Sequence, residues 1–283
     1  MLSISNKEYT ILLHKMQMKF LWAAPLTNKQ GMGILKSQVV SDKQQLHLLR
    51  PFDPYQEGPA MKDLSIVQKY MVCTVNEKGV FPFASVEERT LGLVAAGLLE
   101  LEMEGSISID GRKVSVSGKL PEHRPYLEPL YAFIQEKQKV KIDVVVDAYN
   151  FSWTDKRLKA LWNAVGSSLV KLEAATPCKA GLLGKQTGYL PAPEEVRSVV
   201  EQMRAELLED GPVCDDTAAL VVLLEQVKCL KVYFSDFEQK AIQKKIKAIV
   251  DTPEGKIVKD MMTYLQVIMY SPAARGAAAG GAG

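Results

Sequence analysis

Most residues in this chain that could do chemistry stand at spacings that defeat it. His14, His47 and His123 are its three histidines and lie far apart, too scattered for a metal centre or a nucleophilic triad. His123 sits between Glu122 and Arg124 beside prolines and reads as a solvated loop residue. Cys73, Cys178, Cys214 and Cys229 form no C-x-x-C pair, and read as buried small hydrophobes in a reducing compartment. The run Gly181-Leu-Leu-Gly184-Lys185-Gln186-Thr187 has the outline of a phosphate loop. It fails because Lys179 stands where the first glycine is needed, and Gln186 where Ser or Thr must reach magnesium. The acid pairs Glu194-Glu195 and Asp215-Asp216 fall at helix starts, where the helix dipole accounts for them. No catalytic residue, metal or cofactor is expected.

What remains is basic and apolar. Lys156, Arg157 and Lys159 gather at the start of a helix. They form either a solvated helix face or a phosphate headgroup site, since a phosphate needs several converging donors with an arginine fork among them. Lys240, Lys244 and Lys247 recur at i, i+4 and i+7 with Lys245 beside them, a solvated face or one turned to an anionic surface.

These residues need a scaffold, and the composition can supply one. The 283 residues are 47% apolar and 24% charged with a formal net charge of +2, enough for a proper core and too balanced for a dedicated nucleic-acid binder. The longest apolar run, residues 218–224, is far short of the ~18–20 residues of a membrane span. Residues 1–60 hold seven Lys/Arg against four Asp/Glu and lack sustained periodicity. Either Met61 is the natural start, or residues 1–60 are a loosely held N-terminal extension. Residues 61–270 are read as one domain. Residues 271–283 are a Gly/Ala tail that cannot bury enough surface to offset its ordering entropy.

Within 61–270 the period is mostly helical. Helices are predicted over 64–75, from the capping box Ser85-x-x-Glu88 to about Glu104, over 125–139, over 154–172, and from Pro193. Asp215 or Asp216 should cap an apolar helix to about Val232. The box Ser235-x-x-Glu238 opens another helix, and Thr252-Pro253-Glu254 a last one to Tyr270. Ser106 to Val116 alternates around Asp110-Gly111 and predicts a hairpin. The valine run in 143–148 is ambiguous and favours a strand by propensity. The expected fold is mainly α, a compact single helical domain with one or two short β-hairpins.

The order of these elements resembles the Golgi phosphoprotein 3 family. The likeness is carried by Leu64-Ser-Ile-Val-Gln-Lys-Tyr-Met-Val with the turn Asn76-Glu-Lys-Gly79, and by the helix-to-strand segment Gly97 to Ile109. Asp216 to Leu224 and Ala241 to Ile249 are similar to the family's late apolar helix and the basic helix after it. The resemblance covers roughly 63–250. It implies a peripheral membrane protein that binds phosphatidylinositol 4-phosphate at the cytoplasmic face of a membrane. The family's lipid pocket has an aromatic, an arginine and two further arginines, whose places fall here near Ala84 and Val94 and at Lys159 and Trp162. Lys159 matches in charge, and Arg89, Lys156 and Arg157 lie close enough in sequence to stand in for the rest. The family's hydrophobic hairpin falls at Ala180 to Pro191, where Leu182, Leu183, Tyr189 and Leu190 would enter a membrane, pair with a second copy of the chain, or pack as a loop. Expected partners are thus anionic phospholipid, with a homo-oligomer and client proteins open, and no nucleic acid.

A winged-helix DNA-binding regulator is the runner-up, because two helices and a hairpin could mimic that motif. Its reading helix would carry Glu87, Glu88, Glu100, Glu102 and Glu104 with Arg89 alone positive, which would repel phosphates.

Overall fold

The computed structural model describes residues 62–150, 155–181, 184–252 and 256–269. The expected N-terminal extension and Gly/Ala tail lie outside the described residues. Among those described, the chain folds as ten α-helices and two small antiparallel sheets. The mainly α fold with short β-hairpins holds.

The first helix, α1 (Ile66–Thr74), is the hub: all nine of its residues are buried. A helix buried on every side needs neighbours on every side, and α1 has them in α2 (Val86–Met103), α5 (Lys156–Lys171), α6 (Pro193–Leu208) and α7 (Asp215–Gln226). Its buried polar groups find partners nearby. Gln68 Nε2 donates to Ser168 Oγ at 2.8 Å, and Thr74 Oγ1 donates to the Tyr70 carbonyl at 2.7 Å. Ser65 N–H donates to Gln68 Oε1 at 2.9 Å, the glutamine form of a capping interaction. The box read at Ser85-x-x-Glu88 does not form. The chain enters α2 from a 3-10 turn at Phe83–Ser85, and Ser85 makes no side-chain cap bond.

After α2 the strands β1 (Ile107–Asp110) and β2 (Lys113–Val116) pair as expected, but one residue later at the turn. Asp110 is opposite Lys113, so Gly111 and Arg112 are the central pair. Gly111 has φ +58, a conformation that costs a side chain with a Cβ. Gly111→Val is therefore expected to lower stability by about 1–3 kcal/mol through backbone strain alone, because open space surrounds the position. A melting scan checks this, and an unchanged midpoint would refute it.

The helix expected over 125–139 is shorter. A 3-10 turn at Pro125–Leu127 leads into α3 (Glu128–Lys137), and β3 (Lys139–Lys141) adds to β2 as the third strand. The valine run is helical, in α4 (Ile142–Asn150). Val145 and Val146 reach the core while Val144 stays exposed, so packing against α2 overrides the strand propensity. Next come α5, then β4 (Ala175–Ala180) and β5 (Gln186–Pro191) as a second hairpin.

The apolar helix α7 is capped by Cys214, whose Sγ accepts the Thr217 N–H at 3.4 Å; neither aspartate caps it. It stops at Gln226, and α8 (Leu230–Tyr233) is separate. The Ser235–Glu238 box opens α9 (Asp236–Val250) as read, and α10 (Lys256–Met269) packs on α2 and α7. All four cysteines are free. Cys73 and Cys229 are buried as expected, and burial pushes the Cys73 thiol up to about 12. Cys178 is half-buried and Cys214 exposed, contrary to the expectation.

Candidate functional site

Helix α5 concentrates positive charge where a helix usually holds negative charge. Its N-cap, Asp155, has φ +49 and makes no side-chain cap bond, and no acid stands in the first turn. Lys156, Arg157 and Lys159 are all placed there, with Lys156, Arg157 and Lys159 reaching solvent. Their charges add to the positive end of the helix dipole, so this end of α5 favours an anion. Lys159 Nζ lies 4.0 Å from Asp155, at the outer edge of an ion pair, with both side chains well exposed. Such a pair leaves the ammonium largely available.

Arg157 is positioned more firmly. Its guanidinium sits 5.0 Å above the Phe133 ring, a cation–π arrangement that orients the plane while leaving its N–H groups free to donate. Phe133 on α3 is itself held edge-on by Tyr149 of α4 at 6.0 Å, and Tyr149 Oη donates to the Pro129 carbonyl at 2.7 Å.

Arg89 does not join this cluster. It lies in the first turns of α2, where its guanidinium donates to the Thr74 carbonyl at the end of α1. Tyr70 Oη in turn donates to the Arg89 carbonyl at 3.0 Å. The groups around Arg89 come from α1 and α8, and those around Arg157 from α3 and α4. In this fold Arg89 clasps the start of α2 to the end of α1. Nearness in sequence could not reveal that the two helices end at different places.

The positions taken from the family resemblance also separate. Val94 is fully buried and Ala84 is exposed. Trp162 is buried beneath the second hairpin, donating Nε1–H to the Thr187 carbonyl at 2.9 Å. Its ring meets Phe81 edge-on at 4.9 Å and lies 6.0 Å from Tyr189. An arginine's place in the family is thus taken by core packing, and only Lys159 keeps a charge facing solvent.

The hairpin shows why. Tyr189 is only 5% exposed, its ring pressed against Gly166, where an added Cβ would lie 2.2 Å from Cδ2. Its N–H donates to the Gly79 carbonyl at 2.8 Å, and its hydroxyl lies 3.2 Å from Asn163 Oδ1. Tyr189 therefore fastens the base of the hairpin, the packed-loop alternative of the three that the sequence leaves open. Leu190 on the other face is 41% exposed. Leu182 and Leu183 lie outside the described residues.

A cleft of about 420 Å³ lies between the start of α1 and the second half of α5, and no motif in the sequence points to it. Asp63, Gln68, His123, Arg124, Tyr126 and Lys171 are among its lining residues. Behind it Glu100, 3% exposed, accepts the Tyr126 hydroxyl at 2.7 Å and the Val67 N–H at 3.1 Å, with Arg124 Nε 3.2 Å away. Burial pushes the Glu100 carboxyl above the ordinary glutamate range, and those donors offset part of it. One acid within the apolar run of α2 is the available signal, but the sequence pattern groups Glu100 with the acids of an exposed face. Thr90 to Leu101 are in fact all buried, so α2 has no free face to enter a DNA groove.

The sequence profile of the family described as Golgi phosphoprotein 3 (GPP34) matches residues 67–265, from α1 almost to the end of α10. The chain belongs to the Golgi phosphoprotein 3 family. A search of the curated proteins finds no match. This Golgi phosphoprotein 3 relative has no helix among its described residues long and apolar enough to cross a membrane. Nor do the described residues gather three or more His, Cys, Asp or Glu into a group that could hold a metal ion.

Proposed function

We propose that this protein is a peripheral membrane protein that binds anionic phospholipid headgroups, acting as a binding protein and not as an enzyme. The supporting observation is the amino-terminal end of α5, where Lys156, Arg157 and Lys159 crowd a helix start with no first-turn acid, and Phe133 orients Arg157. The resemblance to the family implies a phosphoinositide ligand, so phosphatidylinositol 4-phosphate is the first headgroup to test. The chain would attach from the cytoplasmic face, with Leu182 and Leu183, which lie between β4 and β5 in sequence, as a shallow apolar anchor. Charge near an anionic surface and a few buried leucines each give modest binding, and the pair gives reversible attachment.

Cosedimentation with vesicles tests this. Wild type should bind vesicles of equal parts phosphatidylcholine and phosphatidylglycerol, and bind more tightly still when phosphatidylinositol 4-phosphate is added. Arg157→Glu with Lys159→Glu should weaken binding about thirtyfold or more, from about 1 kcal/mol per surface charge. High salt should mimic that variant, but should not mimic Leu182→Ala with Leu183→Ala. Wild type that ignores anionic vesicles at low salt while binding duplex DNA would overturn the reading.

A further inference from the structure

The corner between α8 and α9 exposes large apolar side chains beside a field of lysines. Phe237 is 82% exposed and Val232 is 66% exposed, five positions apart across the corner at Phe234 and Ser235. Phenylalanine in water is unfavourable unless something covers it. Phe237 opens a face of α9 that continues, at helical spacing, through Lys240, Lys244 and Lys247, all exposed. Lys231, next to Val232, is exposed as well.

Between the first turn and the C-cap Asp251 this face is all positive. From Gln239 to Val250 α9 contains no acid. Its two carboxylates lie in the first turn. Asp236 sits at the positive end of the helix dipole, and Glu238 turns back to accept from Ser235 N–H at 2.7 Å and from Arg204 Nε at 3.3 Å. Lys245, off this face, is committed elsewhere: its ammonium donates to the carbonyls of Glu206 and Glu209 at 2.7 and 2.5 Å, closing the end of α6. The lysines on the open face have no comparable fold-closing bond among the contacts of the described residues. Phe83 and Val86 are exposed too, but Glu87 and Glu88 follow them in α2, so that segment does not share the charge.

We infer that the α8–α9 corner is a bilayer contact in its own right, with Phe237 and Val232 entering the headgroup–acyl boundary and Lys231, Lys240, Lys244 and Lys247 facing anionic lipid. The combination fits that occupant because an aromatic tip gains from the boundary region and the lysine row gains from a negative surface. The site is separate from the α5 cluster: α9 rests on α6, α8 and α10, whereas α5 rests on α1, α3 and β4–β5. The inference shares with the proposed function its partner class, a membrane, and rests on that reading to this extent.

The test uses the full chain and the same vesicles of equal parts phosphatidylcholine and phosphatidylglycerol. Lys240→Glu with Lys244→Glu should weaken partitioning by at least about thirtyfold at low salt, and Phe237→Ser should weaken it by a margin that salt does not abolish. Both changes are at exposed positions, so the melting midpoint should stay within about a degree or two of wild type. Phe237→Trp should gain fluorescence that is quenched by brominated acyl chains, beyond the quenching of wild type. Loss of binding in the α9 variants with binding kept in the α5 variants would support this site and overturn the α5 reading. Binding unchanged in the α9 variants, with the added Phe237→Trp fluorescence left unquenched, would overturn this inference alone. Wild type that fails to bind at all would overturn both.

Discussion

Replacing Glu100 by leucine should cost about 2–5 kcal/mol of stability, since two buried donors would lose their acceptor at once. The Tyr126 hydroxyl and the Val67 N–H both lie in the core and both end on this carboxylate. Arg124 would keep Glu104 at 2.8 Å, so the loss falls on the tyrosine and on the first turn of α1. For a domain of this size the melting midpoint should drop by roughly 5–15 °C. The pH dependence has a definite sign. Burial raises the Glu100 carboxyl, so the folded chain holds that proton more tightly than the unfolded chain does. Wild-type stability therefore gains below the ordinary glutamate value of about 4.3 and loses that gain as pH climbs through the raised value. Glu100→Leu lacks this component, so its deficit should be widest in acid and narrow towards neutral pH. A deficit that grows with pH would mean that the charged carboxylate outweighs its burial.

Trp162→Ala should be at least as damaging. Emptying a buried tryptophan site costs about 3–5 kcal/mol, and here it also removes the Phe81 edge contact and the bond to the Thr187 carbonyl. The second hairpin loses its floor. Trypsin should then cut at Lys179 and Lys185, both exposed, much faster than in wild type, while fragments from α1 and α7 persist. Unchanged cleavage would show that the Tyr189 N–H to Gly79 bond holds the hairpin unaided.

Trp162 also marks what a sequence can disclose about this fold. Its helix is legible from periodicity, but its burial depends on a hairpin that lands on it from residues 186–191, a long-range contact no local pattern encodes. The same holds for Tyr189, which reads as an amphipathic tip and serves as a base. Capping illustrates a subtler limit. Ser235-x-x-Glu238 and Ser85-x-x-Glu88 are equivalent as strings, yet only the first has an extended residue at the cap, with Ser235 at ψ 162 against 22 for Ser85. The approach of the preceding chain decides whether the hydroxyl can reach the helix. The valine run of α4 fails in the other direction, where a face of α2 selects helix against intrinsic preference. The exposed cations of α5 and α9 are the most legible of all, because a row of charges stays at the surface in almost any packing. What each cation does is not legible, since Arg89 belongs to the same charge class and is spent on α1.

The complete enclosure of α1 has a consequence for how the chain is made. This helix precedes in sequence every element that covers it, and α7, one of its main neighbours, begins about 150 residues later at Asp215. At ordinary elongation rates that separation lasts on the order of ten seconds. Throughout that interval a nine-residue segment that is wholly buried in the finished fold waits beside the ribosome, able to bury itself on α2 but not on α5, α6 or α7. Among the described residues, the earliest helix to be synthesised is among the last to find all its walls. Newly made chains of this family member therefore offer a holdase chaperone one well-defined target, the stretch from Leu64 to Val75, until the second half arrives to take its place.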